Sequence, residues 1–175
     1  PQRLFEEREL SVDECAGYLQ KAINLLKSQT AASDGSEGSL KVIITVSPIR
    51  YAKYGYHGSQ LSKATLLLAA DKLVKENPGV VSYFPAYEIM NDELRDYRFY
   101  KEDMLHPSEQ AVEYIWERFR ATYFGKAAEQ FLEDWKPIRE ALGHKPFHPE
   151  SEEHQKFIAR TEEKKRQFEE KYHLL

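Results

Sequence analysis

The sequence predicts an α/β fold, a parallel sheet between helices followed by a C-terminal helical extension. Two short β-branched runs, residues 40–46 and 80–84, are each closed by a proline, Pro48 and Pro85. An amphipathic stretch of helix length, residues 61–75, lies between them. Beyond Gly125 the strand signals stop and charged, helical sequence takes over. Strand, helix, strand with short links is the pattern of a right-handed βαβ unit. Parallel neighbours need a crossover long enough to return the chain to the same end of the sheet.

Residues 11–27 read as the first helix. Ser11 and Glu14 form a capping box, and Leu19, Ile23 and Leu26 continue an apolar stripe at helical spacing. Residues 29–39 are small and polar, bury little, and predict a mobile loop. Residues 40–46 are apolar on both faces, as expected for a strand covered by helices on each side. The Tyr-, Gly- and His-rich residues 49–60 then form a loop at the carboxyl end of that strand, where open α/β sheets place their sites. The helix at 61–75, with Leu61, Ala64, Leu67, Leu68 and Leu73 among its apolar positions, is stopped by Asn77-Pro78-Gly79. After the second strand, residues 86–103 are rich in charge and aromatics and read as a short helix leading into a loop.

Residues 107–124 predict a third helix, with Pro107 in its first turn and Val112, Ile115, Trp116, Phe119 and Tyr123 on its buried face. Residues 126–142 continue as a helix marked by Phe131, Trp135, Ile138 and Leu142, and residues 143–149 break it. The last segment, 150–172, is nearly neutral, with seven acidic and six basic residues between positions 150 and 171. Phe157, Thr161, Phe168 and Tyr172 fall along one side, which favours a solvated helix docked by a narrow stripe over a partner-binding coiled coil. The expected division is an α/β domain over residues 1–125 and a helical extension over 126–175.

Composition narrows the function. Among 175 residues, 41% are hydrophobic and 31% charged, with a net charge of −4 from 25 basic and 29 acidic side chains. That mild balance offers no footprint for nucleic acid. No apolar run is long enough to span a membrane, and no signal peptide is visible. The chain opens at Pro1-Gln2-Arg3 rather than at Met, so an upstream segment is expected. Cys15 is the sole cysteine, which rules out an internal disulfide or a zinc site of paired cysteines. Its place early in a helix suits a small buried residue better than a nucleophile. A single thiol fits a reducing compartment, so a cytoplasmic location is expected. No cofactor is called for, and the oligomeric state is open.

The chemistry is concentrated at Asp103-Met104-Leu105-His106-Pro107-Ser108. A carboxylate three residues before a histidine in a tight turn can hold one ring nitrogen and leave the other as a base. A helix N-terminus behind His106 would disfavour the imidazolium, and Asp103 would offset it. The plainer reading of these residues is a helix-capping Asp103 and a surface His106. His144 and His148 are four apart, but Pro146 and Pro149 argue against a helical metal pair.

A longer pattern bears on that choice. It comprises Ile44-Thr45-Val46-Ser47-Pro48-Ile49-Arg50, Leu61-Ser62-Lys63-Ala64, Tyr83-Phe84-Pro85-Ala86-Tyr87-Glu88-Ile89, the run from Asp92 to Tyr100, and His106-Pro107-Ser108. Together these resemble the GSCFA family of the SGNH (GDSL-like) hydrolases over roughly residues 3–124. The resemblance implies a partial flavodoxin-like, three-layer unit, with Asp103 and His106 as catalytic acid and base. It implies hydrolysis or transfer of an ester-linked acyl group, on a small-molecule or glycan ester of carbohydrate or cell-envelope type. The family's Gly-Ser-Cys-Phe-Ala motif, whose serine is the nucleophile, does not occur here. Ser47, Ser59 and Ser108 sit in no nucleophile motif, and Ser108 suits the following helix terminus. The isolated chain is therefore expected to be inactive. A non-catalytic binding module on the same fold is the alternative. Arg50, after the strand end, is a candidate substrate-binding residue. In the plainer reading Arg50, Glu88, Arg95 and Arg98 form ion pairs with Asp92 and Asp96 that hold the segment's shape.

Overall fold

The computed structural model describes residues 4–30, 40–148 and 150–174. The chain is α/β and mostly helical, with a two-stranded parallel sheet. It divides into two compact units between Glu117 and Arg118.

In the first unit, α1 (Val12–Thr30) starts at the expected capping box. The Ser11 amide donates to Glu14 Oε2 (2.9 Å), and the Glu14 amide donates to Ser11 Oγ (3.3 Å). The helix runs three residues past its expected end, and the rest of the polar loop read at 29–39 lies outside the described residues. Strands β1 (Val42–Ile44) and β2 (Val81–Tyr83) pair in parallel, with Val42 opposite Val81 and Ile44 opposite Tyr83. Between them runs α2 (Gly55–Glu76).

The core lies on one face of this pair. Ala16 and Ile23 from α1, Ala69 and Leu73 from α2, and Val81 form a buried cluster against which Val42, Ile44 and Cys15 pack. Cys15 is thus a partly buried packing residue. The two-sided cover expected for β1 is not met. Ile43, which points the other way, is 39% exposed.

Asn77 joins α1, α2 and β2. Its amide donates to the Leu73 carbonyl, and its own carbonyl accepts from Val80 and Val81 at the entry to β2. Its buried side chain exchanges hydrogen bonds with Gln20 of α1 (2.7 and 3.2 Å). Gly79, at φ +75°, turns the chain in a region that costs other residues strain.

Two helix starts differ from expectation. α2 begins at Gly55, after a 3-10 turn (Ala52–Tyr54), so half of the expected 49–60 loop is helical. Gly58 permits this, because a Cβ there would fall 2.9 Å from Tyr54 Cβ. α4 (Glu109–Tyr123) starts after Pro107, because Pro107 bridges antiparallel to Tyr100 and the Ser108 amide donates to the Phe99 carbonyl (2.7 Å). Ser108 Oγ then accepts from the Ala111 amide (3.3 Å) and serves the helix terminus as expected. Between β2 and that turn lie one helical turn, α3 (Ala86–Glu88), a π-helical stretch (Ile89–Leu94) and a 3-10 turn (Tyr97–Phe99). Met90, Phe99, Tyr100 and Ala111 form a second buried cluster there.

In the second unit, α5 (Lys126–Gly143) packs against α6 (Glu152–Lys171). Phe131, Trp135, Phe168 and Tyr172 pack edge-on or tilted, with ring centroids 4.7–5.1 Å apart. Lys171 Nζ (2.5 Å) and Tyr172 Oη (2.6 Å) both donate to Asp134 Oδ2. Those two partners, with Gln130, hold the Asp134 carboxyl down at about 2. The charged segment is therefore a solvated helix docked by a narrow stripe, with Thr161 and Phe168 buried.

The one-sided sheet can be tested by urea denaturation. Leu73, fully buried, should cost about 2–5 kcal/mol when replaced by alanine. Ile43→Ala should cost well under half of that, and equal losses would mean that both faces of β1 are packed.

Candidate functional site

The second cluster carries a tight loop. Phe99 and Tyr100 are buried at its root. From there the Lys101 amide donates to the His106 carbonyl (2.8 Å) and the Met104 amide to the Lys101 carbonyl (2.9 Å). Met104 adopts φ +59°, a left-handed conformation that costs a non-glycine residue about 1–3 kcal/mol. The loop holds it because residues on both sides are tied down.

Asp103 does most of that tying. Its Oδ1 accepts from the Leu105 amide (2.9 Å) and the His106 amide (3.0 Å), and its Oδ2 lies 2.6 Å from His106 Nδ1. The His106 amide, then the Leu105 amide, then the imidazole hold the Asp103 carboxyl down at about 2. An ionised carboxylate only accepts, so the shared proton resides on Nδ1, and whenever the ring is neutral its lone pair is on Nε2. Nε2 has no hydrogen-bond partner among the described residues. The His106 side chain is 55% exposed and that of Asp103 44%. The imidazole is therefore held in one orientation and is half open to solvent, an arrangement that can take up a proton at Nε2.

Arg50 reaches this loop from the end of β1. Its amide donates to the Leu105 carbonyl (3.0 Å) and its guanidinium to the Met104 carbonyl (3.4 Å). The guanidinium carbon sits 4.0 Å from the Tyr100 ring centroid and 5.4 Å from that of Tyr97. Arg50 thus braces the two residues between Asp103 and His106 and meets no carboxylate among the described residues. Of the expected ion pairs, Arg98 approaches Asp96 at 4.0 Å, while Glu88 accepts from the Tyr83 hydroxyl (2.9 and 3.1 Å). The three serines considered above all serve the backbone. Ser47, Ser59 and Ser108 Oγ accept from the amides of Ile49, Tyr51 and Ala111.

Arg50, Met104 and Leu105 also line a cavity of about 480 Å³, whereas Asp103 and His106 do not. Asp103 lies instead on a shallow depression with Arg98, Lys101 and Ser108. The cavity contains a residue that sequence reading placed only as part of a helix start. Lys63 is 8% exposed, and its Nζ donates to the Ser47 carbonyl (2.6 Å). Burial pushes its ammonium pKa down. The missed signal was periodic, since Ser59 and Lys63 extend the buried stripe of Ala70 and Leu73 toward the start of α2. Among the described residues no three His, Cys, Asp or Glu side chains group as a metal site.

The Asp103 anchor has a definite pH signature. Its carboxyl sits below its ordinary value of 3.8, so the stability that it lends the turn is full above about pH 4 and is lost as pH falls through about 2. Carbon-detected NMR should place the Asp103 midpoint near 2. In His106→Ala the midpoint should stay depressed, because the two backbone amides remain. A return to the ordinary value in that variant would make the imidazole the dominant cause.

The GSCFA family model matches residues 1–119, which include Arg50, Lys63, Asp103 and His106. A second model, GSCFA domain protein, C-terminal domain, matches residues 135–175. No curated protein and no solved structure matches the chain. With more than half of its length covered by the first model, the chain belongs to the GSCFA family.

Proposed function

We propose that this chain supplies the acid–base half of an SGNH-type serine hydrolase or acyltransferase acting on an ester, of small-molecule or glycan type. The observation that carries the proposal is the 2.6 Å contact from Asp103 Oδ2 to His106 Nδ1, in a His106 side chain that is 55% exposed. In this reading residues 1–125 are the C-terminal part of a flavodoxin-like α/β domain, and residues 126–175 are an appended helical extension. A nucleophilic serine from outside the 175 residues approaches Nε2. The absence of a Gly-Ser-Cys-Phe-Ala string and the backbone duties of Ser47, Ser59 and Ser108 support that placement.

The steps follow from the geometry. Nε2 takes the serine hydroxyl proton as Oγ bonds to the ester carbonyl carbon, and Asp103 stabilises the imidazolium. The imidazolium then gives that proton to the departing alcohol oxygen, which leaves an acyl-serine. Water or a second alcohol repeats the sequence, and the serine is released. Arg50 contributes by holding the Met104 and Leu105 carbonyls and by facing the substrate from the adjoining cavity.

Turnover of a p-nitrophenyl ester by the intact protein tests this reading. His106→Ala should lower kcat by about 10³-fold or more, and Asp103→Asn by a comparable factor through the wrong tautomer. Near-normal turnover in His106→Ala would overturn the assignment.

A further inference from the structure

We infer that the cavity beside the Asp103–His106 loop is a binding site for an anionic sugar-sized ligand, a hydroxyl-bearing ring with a carboxylate or phosphate group held between Arg50 and Lys63. This deepens the hydrolase reading, on which it rests only for taking the ligand to be part of the substrate.

Charge is the first argument. Arg50 and Lys63 both line the cavity, no Asp or Glu does, and neither cation meets a carboxylate among the described residues. Lys63 is 8% exposed, and among the described residues its ammonium meets one hydrogen-bond acceptor, the Ser47 carbonyl, and the face of the Tyr87 ring, 6.0 Å from its centroid. A buried ammonium with spare donors and no counter-charge is expensive to keep. An anion entering the cavity would supply both the acceptors and the charge. The guanidinium of Arg50 is pre-oriented by its place over Tyr100 and can meet an oxyanion through its remaining N–H groups.

The rest of the wall suits a hydroxylated ring. Tyr87 Oη donates to Gln60 Oε1 (2.9 Å), and Asn91 Nδ2 donates to the Tyr87 carbonyl (2.7 Å). Gln60 and Asn91 both line the cavity, and those bonds use neither the Gln60 amide nitrogen nor Asn91 Oδ1. Tyr87 and Tyr97 add aromatic surface. The volume, about 480 Å³, falls within the range of small-ligand sites.

The test is an NMR titration of isotopically labelled protein with glucuronate, glucose 6-phosphate and glucose. The expected result is saturable binding of one or both anions in the millimolar range, with shifts at Arg50, Lys63 and Tyr87. Neutral glucose should bind at least about tenfold more weakly. Lys63→Met and Arg50→Gln should each weaken the anion about tenfold or more. The tighter anion identifies carboxylate or phosphate as the group held. If Lys63→Met loses its native spectrum, the Arg50→Gln variant and the wild-type shift map still decide. Equal binding of glucose, shifts away from the cavity, or no saturable binding of either anion would overturn the proposal. Because binding is read without turnover, repeating the titration with His106→Ala separates the two ideas. Intact binding with unchanged ester turnover in that variant would sink only the hydrolase reading.

Discussion

A single carboxylate organises the site. Asp103 accepts two backbone amides on one oxygen and faces an imidazole with the other. Charge-assisted bonds of this kind are roughly twice as strong as neutral ones. They make a left-handed Met104 tolerable, set the turn that follows, and select the tautomer of His106. Without that acceptor the loop would lose both the bonds that hold its shape and the contact that orients the His106 imidazole. The low carboxyl pKa and the ring geometry are thus two expressions of the same three contacts.

Those contacts rest on a scaffold with few parts. The β1–α2–β2 unit buries Leu73 and Val81 against α1, and Asn77 locks the end of α2 to both α1 and β2. The chain leaves β1 after Ile44, and Arg50 then lies where its amide and guanidinium reach the Leu105 and Met104 carbonyls. The turn of α2 that carries Lys63 inward does so on the same stripe that buries Leu73. A stripe that serves packing at one end of the helix therefore delivers an ammonium to the cavity at the other.

Local rules made much of this legible. The Ser11/Glu14 capping box, the two β-branched runs and the Asn77-Pro78-Gly79 stop are decided by neighbours in sequence, and each is found close to its expected place. Asp103 and His106 were visible for the same reason, because a three-residue spacing suffices to bring them together. What escaped depends on distant partners. Gly55 and Gly58 look like loop residues until Tyr54 is seen against Gly58. Pro107 looks like a helix start until Tyr100 bridges to it. Lys63 is only one residue of a helix start until the Ser47 carbonyl is found against its ammonium. The exposed side of Ile43 was misread because an apolar run does not reveal whether both of its faces are covered.

The most direct measurement is labelling of the intact protein with a serine-reactive fluorophosphonate, followed by mass spectrometry of the modified peptide. If His106 is the base for an external nucleophile, one serine outside these 175 residues carries the label, and His106→Ala removes it. A label on Ser47, Ser59 or Ser108, or a label indifferent to His106, would contradict that assignment.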